Sequence, residues 1–266
     1  MGVKTELSLT QAQKLFTEFQ LTQLIRTKDG VIDTTYIALA NDKEYIIKKY
    51  ERDIGNKVDF DTKLLSHLYN KGLNVSKLLA NKDGWYIYTK LQGSSPKTVT
   101  LQHLQKLGRF IAKIHQETQK FRTDKDFFNN YPLLNILQTN KSKHYFYYKK
   151  LFSLTQERIV REGFIHGDIF KDNTLFTKNS VALFDFIDGG DGNFAFELGV
   201  VAISFNPHVR KSFNTILLQS YNQHSPRKIS FYELEKNIKI AAKLYALLRL
   251  NHYQNTKKAK ELAKLW

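Results

Sequence analysis

The N-terminal part of the chain alternates apolar and polar positions as β-strands do. TTYIALA and KEYIIKKY alternate in this way on either side of a tight turn at residues 41–42, and VSKLLA and GWYIYTKL do so around residues 82–84. Between the two pairs, apolar residues recur at helical spacing over residues 58–68, and a short helix is indicated over residues 9–19. The pattern therefore predicts a small antiparallel sheet accompanied by helices.

Helical periodicity dominates after the Gly/Ser/Pro cluster at residues 92–96. LQHLQKLGRFIAKIHQET places its leucines and isoleucines on one stripe, from Leu101 to Ile114. Further helices are predicted over residues 121–162 (with a loop), 194–204, 208–222 and 231–253. The chain thus reads as an α+β protein of two lobes. Residues 1–91 form a small N-terminal lobe with an antiparallel β-sheet, and residues 92–266 form a larger, mainly helical C-terminal lobe.

The composition adds a strong positive charge. The formal net charge is +16, which is compatible with nucleic-acid binding. The lysines and arginines are spread over several separate segments, however, and the sequence has neither zinc-finger spacing nor a basic region followed by heptads. We therefore expect no nucleic-acid partner, and a surface that favours small anionic ligands such as nucleotides.

Several classes of protein are disfavoured by what the sequence lacks. No run approaches the roughly 20 consecutive apolar residues that span a bilayer, and the N-terminus has no apolar signal-peptide core. Without cysteine there can be no disulfide framework, thiol nucleophile or thiolate metal site. We expect a soluble, cytoplasmic protein with no membrane partner.

The candidate chemistry lies in the stretch IHGDIFKDNTLFTKNSVALFDFID, residues 165–188. Asp168 precedes Asn173 by five residues, and Asp185 follows twelve residues later, with apolar runs leading into both carboxylates. Phosphoryl transfer to an alcohol uses one carboxylate as base, and an amide with a second carboxylate to hold Mg²⁺ on a nucleotide. The alternative is that Asp168 and Asn173 form only a local Asx turn.

Three segments resemble the protein-kinase-like small-molecule kinases, which include aminoglycoside phosphotransferases, choline kinases and one class of homoserine kinases. HGDIFKDN resembles their catalytic loop, and LGRFIAKIH resembles their LGxxLAxLH helix. FDFIDGGDGNFAFELG resembles their IDFxxAxxxxxxxDLA block, with Glu197 in place of Asp. The resemblance implies a two-lobed, protein-kinase-like fold and the cofactors ATP and Mg²⁺. Asp168 would be the catalytic base, Asn173 and Asp185 would bind the metal, and His166 would brace the loop.

The resemblance also indicates residues for nucleotide binding. Ile46-Ile47-Lys48 matches the V-A-I-K pattern of kinases, which points to Lys48 as the phosphate-binding lysine. Lys49 is the competing choice, although strand alternation turns it to the opposite face. The helical acid that would pair with this lysine is Asp61, or Asp59, in place of the usual Glu.

Two further segments complete the predicted nucleotide site. DGVIDTTY occupies the position of the glycine-rich loop with a single glycine, so Thr34 or Thr35 could donate hydrogen bonds to phosphates. A plain hairpin is the alternative reading of this segment. The adenine ring is expected to meet the backbone of the interlobe hinge from Thr89 to Leu91.

The ends of the chain resemble the homoserine kinases of this fold in particular. MGVKTELS is similar to their MxVxTxLS opening, GVIDTTY to their GxxNTNY segment, and KLYALLRL to their LRFxxSRL helix, which places Arg249 at its arginine. The resemblance implies L-homoserine as the acceptor alcohol. Arg249 would then bind the carboxylate of homoserine, and Asp188 or Asp191 its ammonium group. An interhelical ion pair is the alternative role for Arg249.

Three other functions are weighed against this one. A choline or ethanolamine kinase would need an aromatic cage, for which the FF and FYY groups within residues 127–148 are candidates. An aminoglycoside kinase is disfavoured because its polycationic substrate would be repelled by a chain of net charge +16. A nucleic-acid-binding protein on a kinase-like fold is the non-enzymatic alternative.

Overall fold

A computed structural model describes most of the chain and divides it into two compact units. The units comprise residues 1–92 and 93–266. The described residues are 4–27, 33–55, 57–123, 126–127, 161–206, 210–251 and 256–265, and the structural statements below refer to them.

The first unit contains a five-stranded sheet in which neighbouring strands are all antiparallel and follow the order β1-β2-β3-β5-β4. The strands are β1 (Gln23–Arg26), β2 (Thr34–Ala40), β3 (Lys43–Lys49), β4 (Leu78–Lys82) and β5 (Trp85–Thr89). Both predicted hairpins are present. Asn41 and Asp42 have φ of 48° and 58°, the left-handed conformation that two-residue hairpin turns require. The short, largely exposed β1 has no clear alternation and was not predicted.

Two helices accompany this sheet. Helix α1 (Leu9–Leu15) begins with a capping box, in which Ser8 and Gln11 each bond the other's backbone N–H. It ends earlier than the predicted 9–19, because Phe16 leaves helical geometry before a 3₁₀ turn over Thr17–Phe19. Helix α2 (Lys57–Asn70) buries Leu64, Leu65 and Leu68 of the predicted apolar stripe and leaves Phe60 partly exposed.

The second unit is mainly helical. Its helices are α3 (Leu101–Thr118), α4 (Phe194–Phe205), α5 (Lys211–His224), α6 (Phe231–Asn251) and α7 (Thr256–Ala263). All of α4 is buried. The stripe of α3 is buried from Leu104 to Ile114, whereas Leu101 at its first position is 43% exposed. Helix α7 was not predicted, and the helical prediction for 121–162 lies mostly outside the described residues.

Two small two-stranded sheets flank the predicted chemical residues, and the second of them is a hairpin. Strand β6 (Gly163–Ile165) pairs with β9 (Gly190–Gly192), and β7 (Thr174–Phe176) pairs with β8 (Val181–Leu183), both antiparallel. A strand-rich first unit followed by a helical second unit confirms the predicted α+β fold class. No helix within the described ranges combines the length and apolarity needed to cross a membrane.

Candidate active site

Strand β6 leads directly into the loop of residues 166–173, and Gly167 determines the path of that loop. Gly167 has φ of 74°, and a Cβ placed on it would lie 1.8 Å from Cε2 of the buried Phe127. Any other residue would combine an unfavourable conformation with a clash. The backbone therefore turns sharply here, and the turn carries Asp168 away from the buried strand.

Asp168 and Asn173 contact each other within this loop. The Asn173 Nδ2 donates to Asp168 Oδ2 at 2.8 Å and to the Asp168 carbonyl oxygen at 2.9 Å. Both N–H bonds of the amide are thus directed at Asp168. The amide orients the carboxylate, and its own Oδ1 is the atom suited to ligate a cation.

The electrostatic environment of Asp168 is unfavourable for its charge. Burial raises the pKa of Asp168 to about 6, and the negative charges of Asp172 and Asp185 act in the same direction. A carboxylate with such a pKa is ionised at neutral pH and is still a stronger proton acceptor than an ordinary aspartate. This property fits a general base.

The hairpin of β7 and β8 brings Asp185 to the same end as Asn173. Thr174 pairs with Leu183 in the register, and Phe184 N donates to the Asn173 carbonyl oxygen at 3.3 Å. Asp185 follows Phe184 with φ of 70° and begins a 3₁₀ turn. Asn173 precedes the first strand and Asp185 follows the second, so both lie at the open end of the hairpin.

His166 connects the two halves of this site. Its Nδ1 accepts from Asp168 N at 3.1 Å, and its Nε2 lies 2.9 Å from the Phe184 carbonyl oxygen, to which it donates. These partners correspond to a neutral imidazole with the proton on Nε2. His166 therefore braces the loop, as expected, and holds Asp168 against the segment that carries Asp185.

The oxygen atoms of Asn173 and Asp185 fit the ligand preferences of Mg²⁺. Magnesium is typically bound through one or two carboxylates, with water and substrate phosphates completing its coordination. A cluster of three His, Cys, Asp or Glu side chains suited to a metal does not occur in the described part of the chain. The donor set is thus appropriate for a metal that arrives with a nucleotide.

A buried series of hydrogen-bonded side chains fixes the backbone of the loop at Gly167. Glu197 is fully buried, and its Oε1 accepts from Gly167 N at 2.7 Å. Its Oε2 accepts from His115 Nε2 at 2.6 Å, and His115 Nδ1 lies 2.8 Å from the hydroxyl of Tyr221. The His115 ring also stacks on Phe194, with centroids 3.9 Å apart. Helices α3, α4 and α5 are thereby joined to the residue that precedes Asp168.

Helix α6 places two functional side chains against the same loop. The hydroxyl of Tyr245 donates to the Gly167 carbonyl oxygen, and the Tyr245 ring packs on Phe170 with centroids 4.7 Å apart. Arg249, one helical turn later, has its guanidinium carbon 5.9 Å from the centre of the Phe170 ring. The predicted substrate arginine therefore lies beside the loop that carries Asp168.

Lys171 links the loop to α4 through its backbone. Its backbone N–H donates to the Ser204 hydroxyl on α4 at 3.0 Å. Together with the bond from Gly167 N to Glu197, this makes two hydrogen bonds between the loop and α4.

The two candidate acids for a substrate ammonium differ in their surroundings. Asp188 is partly exposed at the end of the 3₁₀ turn after Asp185. Asp191 is only 3% exposed, and its Oδ1 accepts from Thr123 N at 2.8 Å and from the Thr123 hydroxyl at 3.2 Å. Asp191 therefore anchors the segment after α3, and its predicted contact with a substrate ammonium group stays a prediction.

In the first unit, Lys48 and Lys49 lie on opposite faces of the sheet, as strand alternation predicts. The Lys48 Nζ lies 3.4 Å from Asp33 Oδ2 and 4.7 Å from the centre of the Tyr50 ring. The Lys49 Nζ lies 5.3 Å from the centre of the Trp85 ring. Thr35 is the cross-strand neighbour of Lys48, so the two residues share a face.

The hydroxyl of Thr34, a candidate phosphate donor, already has partners within the fold. Thr34 is fully buried, and its hydroxyl donates to Glu51 Oε1 at 2.5 Å. The Thr34 hydroxyl oxygen in turn accepts from Lys4 N and Thr5 N. The only hydroxyl proton is therefore used within the fold, and Thr34 is not positioned to donate to a phosphate.

The other predicted nucleotide residues are found at compatible places. Asp61 is buried on α2 at 5% exposure. Thr89 ends β5, where its N–H and hydroxyl oxygen bond the backbone of Lys77, and Leu91 follows it, partly buried. These positions leave the predicted nucleotide roles of Asp61, Thr89 and Leu91 as hypotheses.

Comparison with known families decides the broad class. The model of the phosphotransferase enzyme family matches residues 24–232, which include the strands β6 to β9 around the site and Lys48. The chain belongs to the phosphotransferase enzyme family. This result confirms the resemblance drawn from the sequence motifs.

Relatives of this phosphotransferase include proteins named homoserine kinase. The one from Polaromonas naphthalenivorans (strain CJ2) is 23% identical over 226 residues, which is 75% of this chain and 72% of the relative. The one from Parvibaculum lavamentivorans (strain DS-1) is 24% identical over 258 residues, which is 85% of this chain and 80% of the relative.

Solved structures of similar fold include an amicoumacin kinase in complex with AMP-PNP and Ca²⁺. It has a TM-score of 0.74 and 17% identity, with 96% of this chain and 91% of that chain covered. A choline kinase from Streptococcus pneumoniae has a TM-score of 0.70 and 14% identity, with 95% of this chain and 97% of that chain covered. These likenesses establish the fold of the phosphotransferase.

The supporting residues of the phosphotransferase site were harder to foresee than its central ones. His115 and Glu197 lie within the family motifs, which was a usable signal, but their mutual contact was not evident. Asp33 stands at the first asparagine of the GxxNTNY segment that GVIDTTY resembles, and this difference does not indicate its pairing with Lys48. Tyr245 and Ser204 carried no sequence signal that distinguished them from ordinary helix residues.

Proposed function

We propose that this phosphotransferase is an ATP-dependent kinase that converts L-homoserine to O-phospho-L-homoserine, a step of threonine biosynthesis. The carrying observation is the Asp168 carboxylate, which has a raised pKa and is held by the Asn173 amide at 2.8 Å. Such a carboxylate is suited to accept the proton of an alcohol as the phosphoryl group is transferred.

The polar side chains around the loop of residues 166–173 each have a proposed role in this reaction. Asp168 orients the acceptor hydroxyl and takes its proton. His166 and Glu197 hold the backbone on either side of Gly167, so that Asp168 keeps its position. Asn173 and Asp185 would bind Mg²⁺, which, when present, neutralises charge on the nucleotide phosphates. In the first unit, Lys48 would contact the phosphates.

The choice of homoserine rests on two charged residues and on the relatives. Homoserine carries a carboxylate and an ammonium group besides its hydroxyl. Arg249, beside Phe170 of the loop, can bind the carboxylate through its two-pronged guanidinium group. Asp188 can pair with the ammonium. Proteins named homoserine kinase among the relatives, 23% and 24% identical, support the same acceptor.

An ATP-consumption screen tests the proposal. The purified protein with Mg²⁺ and ATP would be offered homoserine, choline, ethanolamine, hydroxylysine, methylthioribose and an aminoglycoside in separate reactions. We expect turnover with homoserine, and the phosphorylated product would be identified by ³¹P NMR. Turnover of choline alone would refute the homoserine assignment and retain the kinase, whereas no ATP turnover with any alcohol would refute both.

The Asp168→Asn variant is the matched control for the chemistry. Its side chain has the same size and can still accept a hydrogen bond, but it cannot take a proton. We expect its turnover of homoserine to fall by roughly 10²–10⁴, the usual contribution of a general base. Binding of ATP should persist. Retained turnover would exclude Asp168 as the base.

A further inference from the structure

A second cation lies beside Lys48 in the first unit. Asp33 is buried, with a side chain only 6% exposed, and its Oδ2 lies 3.4 Å from Lys48 Nζ and also 3.4 Å from Arg52 Nη2. Its Oδ1 accepts from Glu51 N at 3.2 Å, which fixes the carboxylate to the backbone after β3. The side chains of Lys48 and Arg52 therefore both form ion pairs with the same oxygen atom of Asp33.

The exposures of these three side chains differ in a consistent order. Asp33 is 6% exposed, Lys48 13% and Arg52 30%. The acid is thus innermost and the guanidinium is the most accessible of the three. Since two cations share one carboxylate, the three side chains together carry one net positive charge, which favours an anionic ligand.

We propose that Arg52 is a second phosphate-binding residue of the nucleotide site, placed beside Lys48 by the carboxylate that they share. This inference rests on the proposed function, in which Lys48 contacts the nucleotide phosphates. A nucleoside triphosphate presents adjacent phosphate groups, so two cations near one point can contact neighbouring phosphates. A guanidinium group adds two parallel N–H donors, which suit phosphate oxygens.

Nucleotide binding to the full-length protein, measured by titration calorimetry with Mg²⁺, tests the assignment. The probes are ATP, ADP and adenosine, and the variants are Arg52→Gln and Lys49→Gln. Both variants lose one positive charge from adjacent parts of the chain, but Lys49 lies over Trp85 on the other face of the sheet. Lys49→Gln therefore controls for the change in net charge.

We expect Arg52→Gln to bind ATP at least about tenfold more weakly than the wild type, as for the loss of a hydrogen bond to a charged group. Adenosine binding should be unchanged, because adenosine has no phosphate. Lys49→Gln should bind all three probes as the wild type does. Arg52→Lys should recover part of the lost ATP affinity, because it restores the charge without the two parallel N–H donors.

The outcomes separate this inference from the proposed function. A wild-type protein that binds neither ATP nor ADP would refute the nucleotide-dependent function itself. A wild-type protein that binds ATP, together with an Arg52→Gln variant of equal affinity, would refute only the role of Arg52. An equal loss of ATP and adenosine binding in Arg52→Gln, or an Arg52→Lys variant as weak as Arg52→Gln, would also overturn the phosphate contact.

Discussion

Replacing Asp168 by Asn should stabilise the metal-free, nucleotide-free protein while it lowers turnover by roughly 10²–10⁴. Burial raises the pKa of Asp168 from 3.8 to about 6, so the folded protein disfavours the charged carboxylate relative to the unfolded chain. Each pKa unit corresponds to about 1.4 kcal/mol, and the shift of about two units gives an upper limit of about 3 kcal/mol. Asp168 is partly exposed, and solvent screening reduces the expected gain to about 1–2 kcal/mol.

The dependence on pH follows from the direction of the shift. A group with a raised pKa in the folded state favours folding when it is protonated, and this contribution is complete below the unfolded value of 3.8. It is lost as the pH rises through about 6. The gain in free energy of unfolding of Asp168→Asn over the wild type should therefore be small near pH 4 and reach its full size above pH 7.

Urea unfolding followed by circular dichroism, in EDTA and without nucleotide, measures this difference at several pH values. Glu235→Gln is a suitable control, because it makes the same change of charge at an exposed position on α6 of the same unit. A gain that does not vary with pH, or an Asp168→Asn variant less stable than the wild type at pH 8, would refute the electrostatic reasoning.

Three further predictions concern activity. With Asp168 as base, kcat/KM should fall about tenfold per pH unit below about 6, and a profile flat to pH 5 would contradict the role of its ionised form. Glu197→Asp shortens the buried side chain, so either Gly167 N or His115 loses its hydrogen-bond partner. We expect the free energy of unfolding, measured with urea, to fall by about 1–3 kcal/mol, and kcat to fall while the KM for ATP stays nearly constant. Arg249→Gln should raise the KM for homoserine at least about tenfold and leave the KM for ATP unchanged, and a constant homoserine KM would favour a purely structural arginine.

The parts of the molecule that sequence reasoning predicted are those built from local signals. The hairpin at residues 41–42 depends on two adjacent residues that accept positive φ and on alternation in the flanking strands. Asp168, Asn173 and Asp185 fall within one short stretch, and the hairpin between the latter two is also local. Such features can be read along the chain because their parts are neighbours in it.

The unpredicted features depend on contacts between distant residues. The bonds of His115 to Glu197 and to Tyr221 join positions 82 and 106 residues apart. The pairing of Asp33 with Lys48 and Arg52 is also set by the sheet and not by any motif. The burial of Thr34 is instructive, because strand alternation puts it on the same buried face as Tyr36. The alternation of buried and partly exposed residues along β2 places the Thr34 hydroxyl on the buried face.

The hairpin of β7 and β8 also affects how far this site can vary. Asn173 and Asp185 lie at the same end of this hairpin because the paired strands return the chain to that end, while the turn over residues 177–180 lies at the far end. Lengthening or shortening both strands by matched residues would change the separation of these two proposed metal-binding residues along the chain and keep both at the open end. Their spacing in the sequence is therefore a property of the hairpin, and a search pattern with a fixed interval would overlook enzymes with the same chemistry.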